Sequence, residues 1–273
     1  MPGRSFIGAL CVPGAPALAL AILAGLAPAS GQTPASGGPV EPGIVDDLVA
    51  ANRILADQGV LDGFGHVSIR HPGNPSRLLM SRSLAPALTT AGDIIEYDLE
   101  CAAVDARGRA GFLERFIHCE IYRARPDVKS VIHTHSPGVI PFAASTVPLR
   151  LMYHVAGFLA AGVPVFEIRK HAGLTNMLIA NAALGQALAG TLADKSVVLM
   201  RGHGNVVVGP SVQVAAYRAI YTEINARLQT QAIALGGPVT YLEKEEGEKA
   251  DVIQQQVVMR PWELWKAKAM GGK

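Results

Sequence analysis

The order of apolar runs along this chain predicts a single mixed-sheet α/β or α+β domain. Three observations carry that expectation. Short β-branched runs alternate with helical patterns, but without the strict strand–helix–strand rhythm of a parallel sheet. The 273 residues are 49% hydrophobic, enough for one substantial core. No internal repeat divides them. A net charge of +2 with only 17% charged residues gives no basic surface for nucleic acid.

The first 43 residues stand apart from that core. Arg4 is the only charge before Glu41, and the run from Ala17 to Leu26 has the length of a signal-peptide apolar segment, short for a membrane span. Small residues from Ala27 to Gly31 suit cleavage, so residues 1–31 read as a secretory signal and 32–43 as a flexible Pro/Gly/Ser linker. This places the protein in the periplasm or outside the cell, with no membrane segment once the signal is removed. A misassigned start upstream of a cytoplasmic protein is the alternative, and Pro13 and Pro16 are poor signal residues. Beyond the leader two cysteines remain, Cys101 and Cys119. They could pair in an oxidising compartment, but the residues alone fit a small buried side chain at 119 better.

The domain proper reads from 44 to 240. Apolar residues at 44, 45, 48, 49, 51, 54 and 55 predict an amphipathic helix closed by Gly59. Strands follow at 63–70, 78–83 and 93–98. Glu114 to Ala124 has helical spacing, Arg125-Pro126-Asp127 stops it, and Val128 to Ile132 is a strand that runs into His133 and His135. A moderately apolar segment at 150–162 holds Tyr153 and His154. Another strand is expected at 163–168, an Ala/Leu-rich helix at 176–192, and a buried strand at 195–200 leading to Arg201-Gly-His203-Gly204. Strand 206–208 then precedes a long helix, 212–235, with Ser211 as N-cap and Gly236-Gly237 as its end. Residues 241–273 form a tail with a charged helical piece and both tryptophans, Trp262 and Trp265. The tail and the polar face of the long helix (Tyr217, Arg218, Tyr221, Glu223, Asn225 and Arg227) are expected at subunit contacts.

His133 and His135 lie two apart, so a strand turns both imidazoles to one face. That is half of a metal site. His203 is the third ligand candidate, held between two glycines that permit a tight bend. Glu114 is the fourth, either as a ligand or as an acid/base beside the ion. Taken singly, each has an ordinary structural explanation; together they point to a metal centre.

In combination these residues resemble the class II aldolase/adducin family. The pattern is a Glu four residues before a His, then Arg-Pro-Asp, then His-X-His, then His-Gly after a later strand. Here it reads Glu114, His118, Arg125-Pro126-Asp127, His133-Thr-His135 and His203-Gly204. The likeness spans roughly residues 45–240. It implies an αβα-layered fold with a mostly antiparallel central sheet, and a homotetramer with sites between subunits. It also implies His133, His135 and His203 as ligands, with Glu114 a ligand or acid/base. The metal it implies is Zn²⁺, with Mn²⁺ or Fe²⁺ as alternatives.

Departures from the sugar-phosphate aldolases in that family narrow the substrate. Phe112-Leu113 stands where they carry a Ser-Ser pair, and Ser81-Arg82-Ser83 where they carry a Thr-Gly turn. Gly65-His66-Val-Ser68 replaces their Gly-Asn-Val-Ser. These segments resemble instead a branch of 3-hydroxy-2-methylpyridine-4,5-dicarboxylate 4-decarboxylase-like proteins. That resemblance implies a decarboxylase of a hydroxy-aromatic or hydroxy-acid carboxylate. His66, Ser68, Ser81, Arg82 and Ser83 are then the candidate substrate contacts, and Glu114, or Tyr153 or His154 from a neighbouring subunit, the proton carrier. Three alternatives stay open: an aldolase for a small hydroxy-carbonyl compound, a non-haem Fe(II) oxygenase, and a non-catalytic scaffold of the adducin kind.

Overall fold

A seven-stranded sheet with helices on both faces organises the chain. A computed structural model describes residues 35–271; the expected signal segment lies outside the described residues. The strands are β1 (His66–Arg70), β2 (Arg77–Ser81), β3 (Ile94–Asp98), β4 (Ser130–Thr134), β5 (Val165–Phe166), β6 (Val197–Met200) and β7 (Gly204–Gly209). Their spatial order is β3-β2-β1-β4-β7-β6-β5. Neighbouring strands are antiparallel throughout except for the β5–β6 pair at one edge. This is the mostly antiparallel sheet that the family resemblance implies.

Among the described residues eight α-helices accompany the sheet: α1 (Pro42–Asp57), α2 (Phe116–Ala124), α3 (Ile140–Ala144), α4 (Arg169–Ala172), α5 (Ala182–Leu192), α6 (Val212–Ala234), α7 (Lys244–Val257) and α8 (Met259–Ala269). Period-2 alternation sorts the strand residues into two cores. Val67, Ile69, Leu79, Ile132, Leu199 and Val207 pack with α1, α6 and α8. Leu78, Met80, Val131, Val198, Val206 and Val208 pack with α2 and α5 on the other side. All five residues of β1 are buried, Ser68 and Arg70 included, because both faces are covered. Arg70 meets this burial by donating to the backbone carbonyls of Val128, Pro75, Tyr122 and Arg125.

Several expected elements shift. The helix expected from 176 starts at Ala182, because the Asn181 side chain caps it by accepting from Leu184 N at 3.0 Å. Residues 176–181 run irregularly past Glu114 instead. The strand expected over 163–168 shortens to Val165–Phe166 at the sheet edge. Residues 35–38, within the stretch expected to be flexible, are tied down: Ser36 Oγ and Gly37 N donate to Glu96, and the Ala35 carbonyl accepts from Arg77 Nε. Cys101 and Cys119 form a disulfide with Cα atoms 5.8 Å apart, so Cys119 is both buried and bonded.

The C-terminal tail is not free. α7 and α8 fold back on the domain, and Trp262 and Trp265 lie in the core with α1 and α6. The polar face of α6 is likewise engaged within the chain. Tyr217 donates to the Val155 carbonyl, Glu223 accepts from Ser136 Oγ and Gly138 N, and Asn225 receives Met152 N. Tyr217, Glu223 and Asn225, among the side chains expected at subunit contacts, are thus bonded within the chain, while Arg227 stays exposed. No described helix is long and apolar enough to cross a membrane.

Candidate metal centre

Strand pairing builds the centre. In the β1–β4 register His66 lies opposite His133, and in the β4–β7 register His133 lies opposite Val206. β4 ends at Thr134, so His135 stands one residue beyond it. His203 sits in the turn between β6 and β7. Gly204 lets that turn press close: a Cβ there would collide with the Thr134 carbonyl and the His135 backbone. Gly65, at φ +86°, does the same on the other side, since a Cβ would sit 2.8 Å from the His133 carbonyl oxygen.

Glu114 arrives from the helix side. It occupies a 3₁₀ turn, Leu113–Arg115, rather than the α-helix expected from 114, which begins at Phe116. One carboxylate oxygen, Oε1, accepts from Ile179 N at 2.9 Å. The other, Oε2, lies 3.6 Å from His133 Nε2 and 3.5 Å from His203 Nε2. His203 Nε2 and His135 Nε2 are 3.1 Å apart. One ligand atom from each of Glu114, His133, His135 and His203 falls within 4.8 Å of the others.

These separations suit a cation. Tetrahedral ligands at about 2.0–2.1 Å from an ion stand about 3.4 Å apart, close to three of the spacings above. The hydrogen bonding agrees. His133 Nδ1 lies 3.2 Å from the Asn205 carbonyl, to which it donates, leaving the Nε2 lone pair turned to the cluster. His133 Nε2 is buried with no partner. Two imidazole nitrogens facing each other at 3.1 Å need a proton or a cation between them. Burial pulls the His135 pKa down to about 4, helped by His133 and His203. Burial pushes Glu114 up, but the neighbouring His133 and His203 hold it well below the usual carboxylate range. Neutral imidazoles beside a carboxylate are the form a divalent ion binds.

The cluster opens on a cavity of about 320 Å³ lined by Phe64, His66, Ser83, Phe112, Leu113 and Leu178, among others. His66 and Ser83 are among its lining residues, and Ser68, Ser81 and Arg82 are not. Ser68 is buried, with Oγ bonded to His118 Nδ1 at 2.6 Å and Tyr122 OH at 2.8 Å. Ser81 is buried without lining the cavity. Arg82 pairs with Asp93, Nε to Oδ1 at 2.6 Å. Tyr153 and His154 lie together by Tyr221, away from the cavity lining within one chain. Sequence reasoning missed Asn205, Ile179, Phe64 and Leu178, none of which carries a recognisable motif. His118, whose sequence reading was helix packing or support of the site rather than ligation, hydrogen-bonds His66, Nε2 to Nδ1, at 2.6 Å.

The profile of the Class II Aldolase and Adducin N-terminal domain matches residues 46–230. The chain belongs to the class II aldolase and adducin family. It is 38% identical over 244 residues to decarboxylase tropJ of Talaromyces stipitatus, covering 81% of this chain and 92% of that protein. It is 32% identical over 212 residues to a 3,4-dihydroxyphthalate decarboxylase of Arthrobacter keyseri, covering 71% and 81%. The fold matches the crystal structure of an aldolase II superfamily protein from Pseudomonas syringae with a TM-score of 0.71 at 23% identity, over 84% of this chain and 94% of that one. Membership of the family agrees with the expectation drawn from Glu114, the two paired histidines and His203.

Proposed function

We propose that this member of the family is a divalent-cation-dependent carboxy-lyase acting on a hydroxy-aromatic or hydroxy-acid carboxylate. One observation carries the reading: the Glu114, His133, His135 and His203 cluster opens on an apolar cavity, in a chain whose relatives include proteins named as decarboxylases. A bound divalent ion, Zn²⁺ first and Mn²⁺ or Fe²⁺ as alternatives, would supply a Lewis acid for the electron pair left when the carbon–carbon bond breaks.

The residues of the chain do the remainder. Phe64, Phe112, Leu113 and Leu178 form apolar walls that fit a planar ring. His66 and Ser83 offer polar contacts to substrate oxygens. Cleavage releases carbon dioxide, and the carbon left behind takes one proton. Glu114, fixed by Ile179 N and lining the cavity, is positioned to hold that proton. Tyr153 and His154 serve in that role if a second copy in a homotetramer brings them to the cavity mouth. The Cys101–Cys119 disulfide supports export to an oxidising compartment.

Product analysis tests the reading. Protein loaded in turn with Zn²⁺, Mn²⁺ and Fe²⁺ is offered hydroxy-aromatic and hydroxy-acid carboxylates, with carbon dioxide trapped and the organic product identified by mass. Metal-dependent carbon dioxide release that His133→Ala lacks is expected. An aldehyde product without carbon dioxide would make the protein an aldehyde-lyase, and oxygen consumption would make it an oxygenase.

A further inference from the structure

Behind the cavity runs a line of buried hydrogen bonds. It links Tyr122 OH to Ser68 Oγ at 2.8 Å, Ser68 Oγ to His118 Nδ1 at 2.6 Å, and His118 Nε2 to His66 Nδ1 at 2.6 Å. All four side chains are buried, so each proton in the line must find an acceptor inside the protein. That requirement gives the line a direction.

The direction starts at Tyr122. Among the described residues the only acceptor its hydroxyl proton reaches is Ser68 Oγ. Ser68 then receives a proton and directs its own to His118 Nδ1. With Nδ1 accepting, neutral His118 carries its proton on Nε2 and donates it to His66 Nδ1. His66, in turn, must carry its own proton on Nε2. The reverse direction would bury a phenolic proton with no acceptor. His66 lines the cavity between Phe112 and His133, with ring centroids 4.5 and 5.1 Å away.

We infer that the Tyr122–Ser68–His118 line locks the tautomer of His66, so that His66 presents a fixed N–H donor to the cavity and selects a substrate bearing an anionic oxygen there. His66 is the specificity-determining residue; Ser68, His118 and Tyr122 are positioning residues. The inference deepens the proposed function and rests on it for the class of ligand, a hydroxy-aromatic carboxylate. The tautomer itself does not depend on turnover.

The test uses the full chain loaded with Zn²⁺ and labelled with ¹⁵N-histidine. Long-range proton–nitrogen correlation reads the tautomers of His66 and His118, and calorimetry reads the binding of 2-hydroxybenzoate. Both histidines should be in the Nε2–H form in the wild type. Ser68→Ala should mix the two forms of His66 and weaken 2-hydroxybenzoate binding by about tenfold, while Ser68→Thr, which keeps the hydroxyl, restores both. An Nδ1–H form of His66 in the wild type overturns the inference without need of any variant. So does weakened binding in Ser68→Ala with the Nε2–H form intact, since packing would then explain the loss. Failure of the wild type to bind 2-hydroxybenzoate overturns the carboxylate assignment. Binding with the expected tautomer but no carbon dioxide release would instead count against the proposed function alone.

Discussion

Two clusters of histidines meet at His133, and they are built to opposite rules. On one side, Glu114, His133, His135 and His203 crowd their ligand atoms together and leave needs unmet: His133 Nε2 and His203 Nδ1 have no partner, and two imidazole nitrogens face each other at 3.1 Å. On the other side, His66, His118, Ser68 and Tyr122 join in a line in which His118 and Ser68 each have a partner on both sides. Buried polar atoms without partners are costly and rare, which suits the first cluster to a divalent ion. The line is a frame, finished during folding. The contrast predicts that the first cluster responds to metal and the second to changes in its own hydrogen bonds.

The largest expected effect breaks the incomplete side. Structural zinc sites gain roughly 10–16 kcal/mol over their ligands, so deleting one of four is expected to cost on the order of a hundredfold or more in affinity. His133→Ala should therefore lose the ion and its activity, read by metal analysis and by carbon dioxide release, with the helical circular dichroism signal retained.

Acid should expose the frame next. Burial, with His133 close by, pulls the His118 pKa from 6.5 to about 3. The unfolded chain takes up a proton near pH 6.5 that the folded chain refuses until about pH 3, so the unfolded state binds more protons between these values. Stability from this group is complete above about pH 6.5 and is lost as pH falls towards 3. Urea midpoints of the chelated protein should fall with pH through that window, and His118→Gln should show a shallower fall.

A smaller effect separates charge from geometry at Glu114. Glu114→Gln keeps an oxygen for Ile179 N but removes the negative charge. A loss of about ten- to a hundredfold in turnover is expected, with an unchanged melting temperature in the absence of metal. The smallest effect is Tyr122→Phe, which removes one hydrogen bond from the frame. It should cost about 1 kcal/mol of stability in denaturant titrations and leave metal content unchanged. A large loss of metal in that variant would mean the two clusters are not separate.

Much of the incomplete cluster was legible in the chain because its signals are local. His-X-His, His203 between glycines, and Glu114 before Arg125-Pro126-Asp127 are short patterns with a chemical meaning. The α1, α2, α6 and β1–β4 assignments likewise follow from periodicity. What stayed hidden depends on register and on long-range packing. Nothing near His66 states that it lies opposite His133, and nothing in 176–181 states that this segment leaves the helix so that Ile179 N can hold Glu114. Ser68 and Arg82 have the chemistry to bind substrate, yet tertiary partners already engage them: Ser68 by His118 and Tyr122, and Arg82 by Asp93. The tryptophans, at the end of a tail, gave no sign that α8 folds back into the core.

The most direct test of the central claim is carbon dioxide release titrated against divalent ion on the metal-free protein, with a hydroxy-aromatic carboxylate as substrate. The account predicts no release without metal and a rate that rises to saturation at one ion per chain. A full rate in the metal-free protein, or saturation with ion and no release from any carboxylate offered, would contradict it.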